Sequence, residues 1–320
     1  MSSGPPGIRS QATKYFADGR PHEPELDPPF DMIEPSVLAS PLVFSSPHSG
    51  AVYPRRFLAA ARLDAATLRR SEDAYVDELF AGVVANGAPL IRARFPRAYL
   101  DLNREPYELD PRMFDGRLPV YANTRSVRVA GGLGTIARVV GDSQEIYNEK
   151  LKPEEVLARI DKLYKPYHRS LRMLLDRAQQ RFGLAVLIDC HSMPSVSGAT
   201  MPDKDASDRK IKADFVLGDR YGTSCETALV DIVEYELRRL GYAVMRNKPY
   251  AGGFITEHYG DPANHFHALQ IEVNRGIYMD EKTLDKAGRF EKIAVDLCAV
   301  ADQLASLLAA RRDNERAAAE

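Results

Sequence analysis

One short stretch constrains this chain more than any other: the apolar run Leu184–Ile188 and the polar residues that follow it. Five apolar residues without a polar break are typical of a strand that is buried on both faces. A carboxylate, a thiol, an imidazole and a hydroxyl follow at positions 189–192. Open α/β sheets form their sites where such strands end, so His191 and its neighbours are the first candidates for chemistry.

Composition and charge narrow the class of protein. The 320 residues are 44% hydrophobic and 28% charged, which is ordinary for a globular protein, and the formal net charge is -2. This charge gives no reason to expect a nucleic acid or an anionic membrane as partner, and no apolar run approaches the roughly 18 residues of a membrane span. The three cysteines have no CxxC spacing. We therefore expect a protein of the reducing cytoplasm without a disulfide framework.

The chain divides by composition into an arm, one domain and a tail. Residues 1–35 are rich in Pro, Gly, Ser and charge and predict an extended N-terminal arm, whereas residues 311–320 predict a charged C-terminal tail. Residues 36–310 alternate strand and helix patterns without a central linker. We expect a single α/β domain there, a three-layer α/β/α sandwich around a central mixed, mainly parallel sheet.

A second predicted strand also has a histidine directly after it. Residues 42–44 are apolar, and the turn at residues 45–50 contains His48. This repeats the pattern around His191. If both strands belong to one parallel sheet, the two histidines lie at the same edge.

A helix predicted over residues 72–84 adds acidic candidates. Its apolar residues fall at helical spacing and form one inward stripe. Asp73 lies on that stripe in the first turn, and Asp77 lies one turn further along. Glu72 is expected to face more outward.

Other segments are predicted in less detail. Apolar and polar residues alternate over 268–275, which predicts a strand with Glu272 directed away from the apolar face. Helices are expected over 153–182, with an interruption near Pro166, and over 283–310. Residues 193–213 predict a mobile loop, and residues 250–254 a flexible turn that leads to His258.

The candidate groups suit a metal site. Catalytic zinc takes about three protein ligands from His, Asp, Glu and Cys and leaves one position for water. His48, His191 and Asp73 are of the right types, although the sequence spacing alone leaves simpler roles open. His48 could cap a turn, and Asp73 could interact with a helix dipole.

A base and anion-binding groups are also present. Glu272 on a core strand is costly to bury unless it is paired or functional, and Arg275 or Arg104 could be its partner. Asn103 and Arg104 could hold a carboxylate, because the planar guanidinium matches two oxygens. Arg97 could stabilise an oxyanion or lie at the surface. Cys190 neighbours His191 on a strand and points to the opposite face, which favours packing over catalysis.

Four motifs in sequence order carry a resemblance to the N-formylglutamate amidohydrolase family. The resemblance covers about residues 40–300 and implies the fold of zinc carboxypeptidases and aspartoacylase, with one zinc at the strand ends. It also implies a catalytic domain, a small-molecule substrate and a place in histidine degradation. The motifs are Ser45-Ser46-Pro47-His48-Ser49-Gly50, Asp101-Leu102-Asn103-Arg104, Asp189-Cys190-His191-Ser192 and Gly252-Gly253-Phe254-Ile255-Thr256-Glu257-His258-Tyr259-Gly260.

The resemblance implies a role for each candidate residue. It makes His48 and His191 zinc ligands with an acidic residue as the third, for which Asp73 is the first choice and Glu72 and Asp77 are alternatives. Asp189 would support the ligands or end the sheet. The remaining roles are general base for Glu272, oxyanion stabilisation for Arg97 and carboxylate binding for Asn103 and Arg104.

Two further roles are hypotheses about substrate contact. His258 could close over the substrate on its glycine-containing loop, or simply bond to backbone. Arg275 could assist Arg104 or form a salt bridge instead.

The expected reaction is hydrolysis of an N-acyl amino acid, in first place N-formyl-L-glutamate, to formate and an amino acid. One departure from the family concerns the substrate, because Glu257 stands where members often carry Arg. Two rival hypotheses are the same scaffold acting on another N-acyl amino acid or small peptide, and a non-catalytic ligand-binding protein.

Overall fold

The strand that follows Gly183 lies at the centre of a seven-stranded sheet. A computed structural model describes residues 23–141, 143–196, 200–202 and 210–319. The described strands are β1 Phe30–Ile33, β2 Leu42–Ser46, β3 Leu90–Ala93, β4 Val139–Val140, β5 Gln144–Glu145, β6 Ala185–Met193, β7 Thr200–Pro202, β8 Lys210–Lys212, β9 Phe215–Gly218, β10 Val244–Arg246 and β11 Phe266–Asn274. Their order in the main sheet is β1-β3-β2-β6-β11-β9-β10.

The sheet is mixed and mostly parallel. Strands β3, β2, β6 and β11 run parallel to one another, β1 is antiparallel at one edge, and β9 and β10 form a parallel pair antiparallel to β11. The carboxyl ends of four neighbouring strands therefore meet at one edge. The predicted α/β fold with a mixed, mainly parallel sheet is confirmed.

Helices cover both faces of the sheet. The described helices are α1 Arg55–Ala60, α2 Ala65–Arg69, α3 Val76–Leu79, α4 Val127–Ala130, α5 Pro153–Arg159, α6 Lys165–Phe182, α7 Thr227–Arg239, α8 Phe254–Tyr259, α9 Arg275–Tyr278 and α10 Phe290–Ala319. The first core lies between the sheet and α5 and α6, and the second core lies between the sheet and α3, α7 and α10. This gives the predicted three layers.

The helix predicted over 153–182 is present, with the interruption near Pro166. A π-helical segment, Ile160–Tyr164, separates α5 from α6, and Pro166 lies in the first turn of α6. A proline cannot donate the usual backbone hydrogen bond inside a helix. The wider π turn accommodates the missing donor without ending the helix.

The helix predicted over 72–84 forms only in part. α3 is followed by a 3-10 turn at Ala81–Val84. Tyr75 has a φ of 64°, in the left-handed region that interrupts a right-handed helix, so Glu72 and Asp73 precede α3. The expectation that Glu72 faces outward is wrong, because its side chain is buried.

The ends of the domain also differ from the sequence pattern. α10 begins at Phe290 and continues through 311–319, the segment expected to be a tail. Most of those residues are Ala, Arg and Glu, which are strong helix formers. Residues 1–22 of the predicted arm lie outside the described residues. The later part of the arm contains β1, which pairs with β3 in the main sheet. In the predicted loop at 193–213, β7 and β8 form a hairpin, and residues 197–199 and 203–209 lie outside the described part.

One part of α10, Phe290–Asn314, is long and apolar enough to cross a membrane by length and composition alone. The sequence pattern had indicated no such run. Its buried stripe includes Ile293, Leu297 and Leu304, which pack in the second core, and α10 contacts α3 and α7. That is the arrangement of an amphipathic helix covering a core.

His168 on α6 connects the first core to two neighbouring segments. Its Nε2 lies 3.0 Å from the carbonyl oxygen of Leu102, and its Nδ1 lies 2.9 Å from the hydroxyl of Tyr259. A carbonyl can only accept, so Nε2 carries a proton. Burial lowers the pKa of His168 to about 3.

We predict that this histidine makes the fold acid-sensitive. Its folded pKa lies below the unfolded value of about 6.5, so the unfolded chain binds the extra proton as the pH falls through that range. Because of His168, the free energy of unfolding should be about 2 kcal/mol lower at pH 5 than at pH 8. Urea unfolding of the wild type and His168→Gln at both pH values should show this difference.

The exposed His265 provides the matched control. The variant His265→Asn should keep the pH dependence of the wild type. Equal pH dependence in the wild type and His168→Gln would contradict a neutral, buried His168.

Candidate active site

Polar side chains from neighbouring strands meet at the carboxyl edge of the sheet. His191 and Glu272 are register partners in β6 and β11, and Asp189 and Gln270 are the partners two residues earlier. Residues two apart on a strand share a face, so these four side chains lie on the face that carries the first core. β6 continues to Met193, so His191 lies inside the strand and not after its end.

Three donor atoms converge at this edge. Nδ1 of His48 and Nδ1 of His191 are 3.1 Å apart. Oδ2 of Asp73 lies 3.1 Å from the His191 nitrogen and 3.4 Å from the His48 nitrogen. All three side chains are buried. The structure thus brings together the three residues named first as metal ligands.

A carboxylate lies next to the other ring nitrogen of each histidine. Nε2 of His48 donates to Oδ1 of Asp101 at 2.7 Å, because a carboxylate only accepts. Nε2 of His191 lies 2.9 Å from Oδ2 of Asp189, but neither Asp189 oxygen has a hydrogen-bond partner among the described residues. The sequence analysis assigned no role to Asp101. The available signal was its position in the same motif as Asn103, two residues earlier.

The donor set and its spacing fit a zinc ion. Two imidazoles and one carboxylate form a common ligand set for catalytic zinc. In a tetrahedral site with bonds of about 2.0–2.2 Å, ligand atoms lie about 3.4 Å apart, close to the distances between these three atoms. Carboxylates behind the outer ring nitrogens are also typical of metal-binding histidines. A buried group of facing lone pairs is unfavourable without a cation or proton between them.

Asp73 is fixed through its second oxygen and its backbone. Oδ1 accepts hydrogen bonds from Arg275 Nη2 at 2.9 Å and from the Ser192 hydroxyl at 3.3 Å. The backbone N–H of Asp73 donates to the His48 carbonyl at 3.0 Å. Burial alone would raise the pKa of Asp73, but His191, His48 and Arg275 together hold that pKa well below its usual range. The salt bridge of Arg275 is therefore with Asp73 and not with Glu272, the partner considered from the sequence.

The two other acidic candidates have different partners. Glu72 accepts hydrogen bonds from the Tyr53 hydroxyl at 2.6 Å and from Arg69 Nε at 3.2 Å. Asp77 pairs with Arg92 at 2.8 Å. The structure thus places Asp73, and neither Glu72 nor Asp77, in the group with the two histidines.

Glu272 is a buried carboxylate beside this group. Burial raises its pKa to about 7; the negative charge of Asp73 adds to the rise, and His191, Arg97 and Arg275 oppose it. A carboxyl group with a pKa near neutrality can both take and return a proton at physiological pH. Its Oε1 accepts a hydrogen bond from Gln270 Nε2 at 2.9 Å.

Two arginines surround Asp101. Arg97 Nη2 donates to its Oδ2 at 2.7 Å, and Arg104 Nη2 lies 3.7 Å from the same oxygen. Arg104 is fixed further by Nε, which donates to the Leu133 carbonyl at 2.8 Å. Asp101 thus lies next to both guanidinium groups, and the charges of Asp73 and Glu272 also stabilise the Arg97 guanidinium.

Asn103 connects this segment to α8. The Ile255 N–H donates to its Oδ1 at 2.7 Å, so the amide oxygen faces α8 and the amide nitrogen faces the site. That nitrogen lies 3.3 Å from Nε2 of His191. The amide nitrogen is a donor with two hydrogens, so it can donate to an acceptor on a ligand as well.

His258 lies away from the ligand group. It occupies the C-terminal end of α8, where its ring stacks on Phe254 with the centroids 5.0 Å apart. It lines a shallow cavity with Phe266, the first residue of β11, whereas Glu272 is near the other end of that strand. Residues 250–253 of the predicted turn are not helical, and α8 begins at Phe254. Glu257 is exposed and pairs with Arg220 at 3.1 Å.

Cys190 belongs to the second core. Its thiol is buried, and burial raises its pKa well above the usual range. Its Sγ lies 3.5 Å from the Ile188 carbonyl oxygen. This is the packing role expected from the alternation of side chains in β6.

Comparison with known proteins identifies the class. The chain is 30% identical to N-formylglutamate deformylase of Pseudomonas putida over 251 residues, 75% of this chain and 82% of the relative. Its structure is similar to the crystal structure of N-formylglutamate amidohydrolase from Ralstonia eutropha JMP134, with a TM-score of 0.80. The match covers 88% of this chain and 98% of that one, at 39% sequence identity. It is therefore an enzyme that hydrolyses an amide bond.

The particular family follows from the match along the chain. The model of the N-formylglutamate amidohydrolase family matches residues 40–279, and the chain belongs to this family. The resemblance deduced from the four motifs is thereby confirmed. The Agrobacterium tumefaciens gene product Atu2144, at 18% identity and a TM-score of 0.61, shares the fold.

We predict that Asp101 strengthens zinc binding through His48. Replacing Asp101 by Asn leaves His48 with a weaker acceptor, which should lower zinc affinity about 10–100-fold. Competition with a chromophoric chelator measures this affinity. Asp110→Asn is the control, because Asp110 is equally buried and pairs with Arg112 and Arg138. Unchanged zinc affinity in Asp101→Asn would contradict the role of Asp101.

Proposed function

We propose that this enzyme hydrolyses N-formyl-L-glutamate to formate and L-glutamate, with one zinc ion held by His48, Asp73 and His191. The observation that carries the proposal is the convergence of these three donor atoms next to Glu272, a carboxylate with a pKa of about 7. The relatives in Pseudomonas putida and Ralstonia eutropha support the choice of substrate. We place the reaction in the cytoplasm and in histidine degradation.

Zinc would supply Lewis-acid chemistry at this position, since it activates water and polarises a carbonyl group. The residues of the chain supply the proton transfers. Glu272 takes the proton of the attacking water and returns it to the nitrogen of the leaving amine.

Arg97 and Arg104 would bind the negative charges of the substrate. Arg97 would stabilise the oxygen of the former formyl carbonyl, where one fixed donor is typically worth about 3 kcal/mol. Arg104 and the amide nitrogen of Asn103 would hold the α-carboxylate and orient the scissile bond. The hydrogen bonds of Arg104 to Leu133 and Asn103 carbonyls support this role, because they fix the guanidinium plane before substrate arrives.

We predict that Glu272→Gln removes catalysis without removing the metal. The amide keeps the size and part of the hydrogen bonding of Glu272 but cannot take a proton, so kcat should fall by about 10²–10⁴-fold. Formate release under saturating zinc measures kcat, and elemental analysis measures zinc. Glu236→Gln is the control, because Glu236 is a buried glutamate on α7 that pairs with Arg239.

The substrate is tested with the same assay. N-formyl-L-glutamate should be hydrolysed with a higher kcat/KM than N-acetyl-L-glutamate and N-formyl-L-alanine. A higher kcat/KM for an amino acid with an uncharged side chain would make that N-acyl amino acid the substrate and would leave the proposed mechanism unchanged. Full activity of Glu272→Gln would contradict the mechanism itself.

A further inference from the structure

The side chain of Gln270 lies between Glu272 and the segment that leads into α8. It is buried on β11, two residues before Glu272 and on the same face of the strand. Nε2 of Gln270 donates to Oε1 of Glu272 at 2.9 Å. Oε1 of Gln270 accepts from the N–H of Gly253 at 2.9 Å. Both ends of the amide are thus engaged.

The chemistry of the two partners fixes the orientation of this amide. A backbone N–H can only donate, so the amide oxygen must face Gly253. A carboxylate can only accept, so the amide nitrogen must face Glu272. A flipped amide would lose both hydrogen bonds. The Gln270 amide therefore links the Gly253 backbone to the Glu272 carboxylate through two hydrogen bonds.

The same short segment holds Asn103 on the other side of the site. Ile255, two residues after Gly253, donates its N–H to the Asn103 amide oxygen. A Cβ at Gly253 would come within 2.4 Å of the Asn103 amide nitrogen, so only glycine allows this approach. Gly253–Ile255 thus binds two side-chain amides, that of Gln270 next to Glu272 and that of Asn103 next to His191.

We propose that Gln270 is a positioning residue for Glu272, and that it couples this carboxylate to the Gly253–Ile255 segment. The inference rests on the proposed function, in which Glu272 is the general base. Gln270 does not touch the substrate. It holds one oxygen of Glu272, which leaves the other directed at the water and the leaving amine.

The expected consequence is a loss of rate rather than of binding. A misplacement of about 1 Å at a reacting group can cost about 100-fold in rate, so a Glu272 carboxylate that rotates freely should be much slower. The metal ligands and the arginines do not depend on Gln270 hydrogen bonds. Zinc content should therefore stay near the wild-type value, and KM should change less than kcat, because only Asn103 among the substrate-binding groups is held by the same segment.

Two substitutions in the zinc-loaded enzyme separate this role from a purely structural one. Gln270→Met removes both hydrogen bonds at similar size. Gln270→Glu keeps an acceptor for the Gly253 N–H but loses the donor to Glu272. We expect both variants to lower kcat by about 10–100-fold with N-formyl-L-glutamate, with zinc content unchanged. If Gln270→Met, the variant that adds no charge next to Glu272, keeps the wild-type kcat, Gln270 does not position Glu272 and the inference is overturned.

Ser224→Ala is the matched control. Its buried hydroxyl donates to the Ala268 carbonyl of the same strand, at a point remote from Glu272. We expect this variant to lose stability and keep its kcat. If the wild type and Ser224→Ala are active and both Gln270 variants match them, the inference fails and the proposed function stands. A zinc-loaded wild type that releases no formate refutes the proposed function, and the role of Gln270 with it.

Discussion

The structure depends on one arrangement: two imidazole nitrogens and one carboxylate oxygen that face each other in the protein interior. Such a group is costly to bury, because its lone pairs repel and have lost their water. Asp101 accepts a hydrogen bond from the outer nitrogen of His48, and the Asp189 carboxylate lies 2.9 Å from the outer nitrogen of His191, so both add negative charge that favours a cation. Arg275 neutralises the far side of Asp73 and leaves the near oxygen free to act as a ligand.

The mixed sheet explains how groups distant in sequence reach one place. Parallel β2, β6 and β11 deliver their carboxyl ends to one edge, and their register puts Glu272 opposite His191. Asp73 comes from no strand of the sheet. Its backbone bonds to the His48 carbonyl, so the turn after β2 positions two of the three donors. The site is therefore a property of the sheet edge and of the first turn that leaves it.

Most of what could be predicted from the sequence follows from the periodicity of its strands. The uninterrupted run before Asp189 and the alternation around Glu272 located β6 and β11, and both place their polar residues on the side now observed. The same alternation marks Gln270, which shares a face with Glu272. Contacts between distant segments could not be read in this way. The burial of Glu72 and the direction of α8, which carries His258 away, depend on tertiary packing.

The central claim is that His48, Asp73 and His191 bind one zinc ion. Anomalous X-ray diffraction from zinc-loaded crystals, recorded on both sides of the zinc absorption edge, tests it most directly. The account predicts one strong anomalous peak per chain, about 2.0–2.2 Å from Nδ1 of each histidine and from Oδ2 of Asp73. A peak bound elsewhere, or no peak between these three atoms in zinc-saturated crystals, would contradict the account.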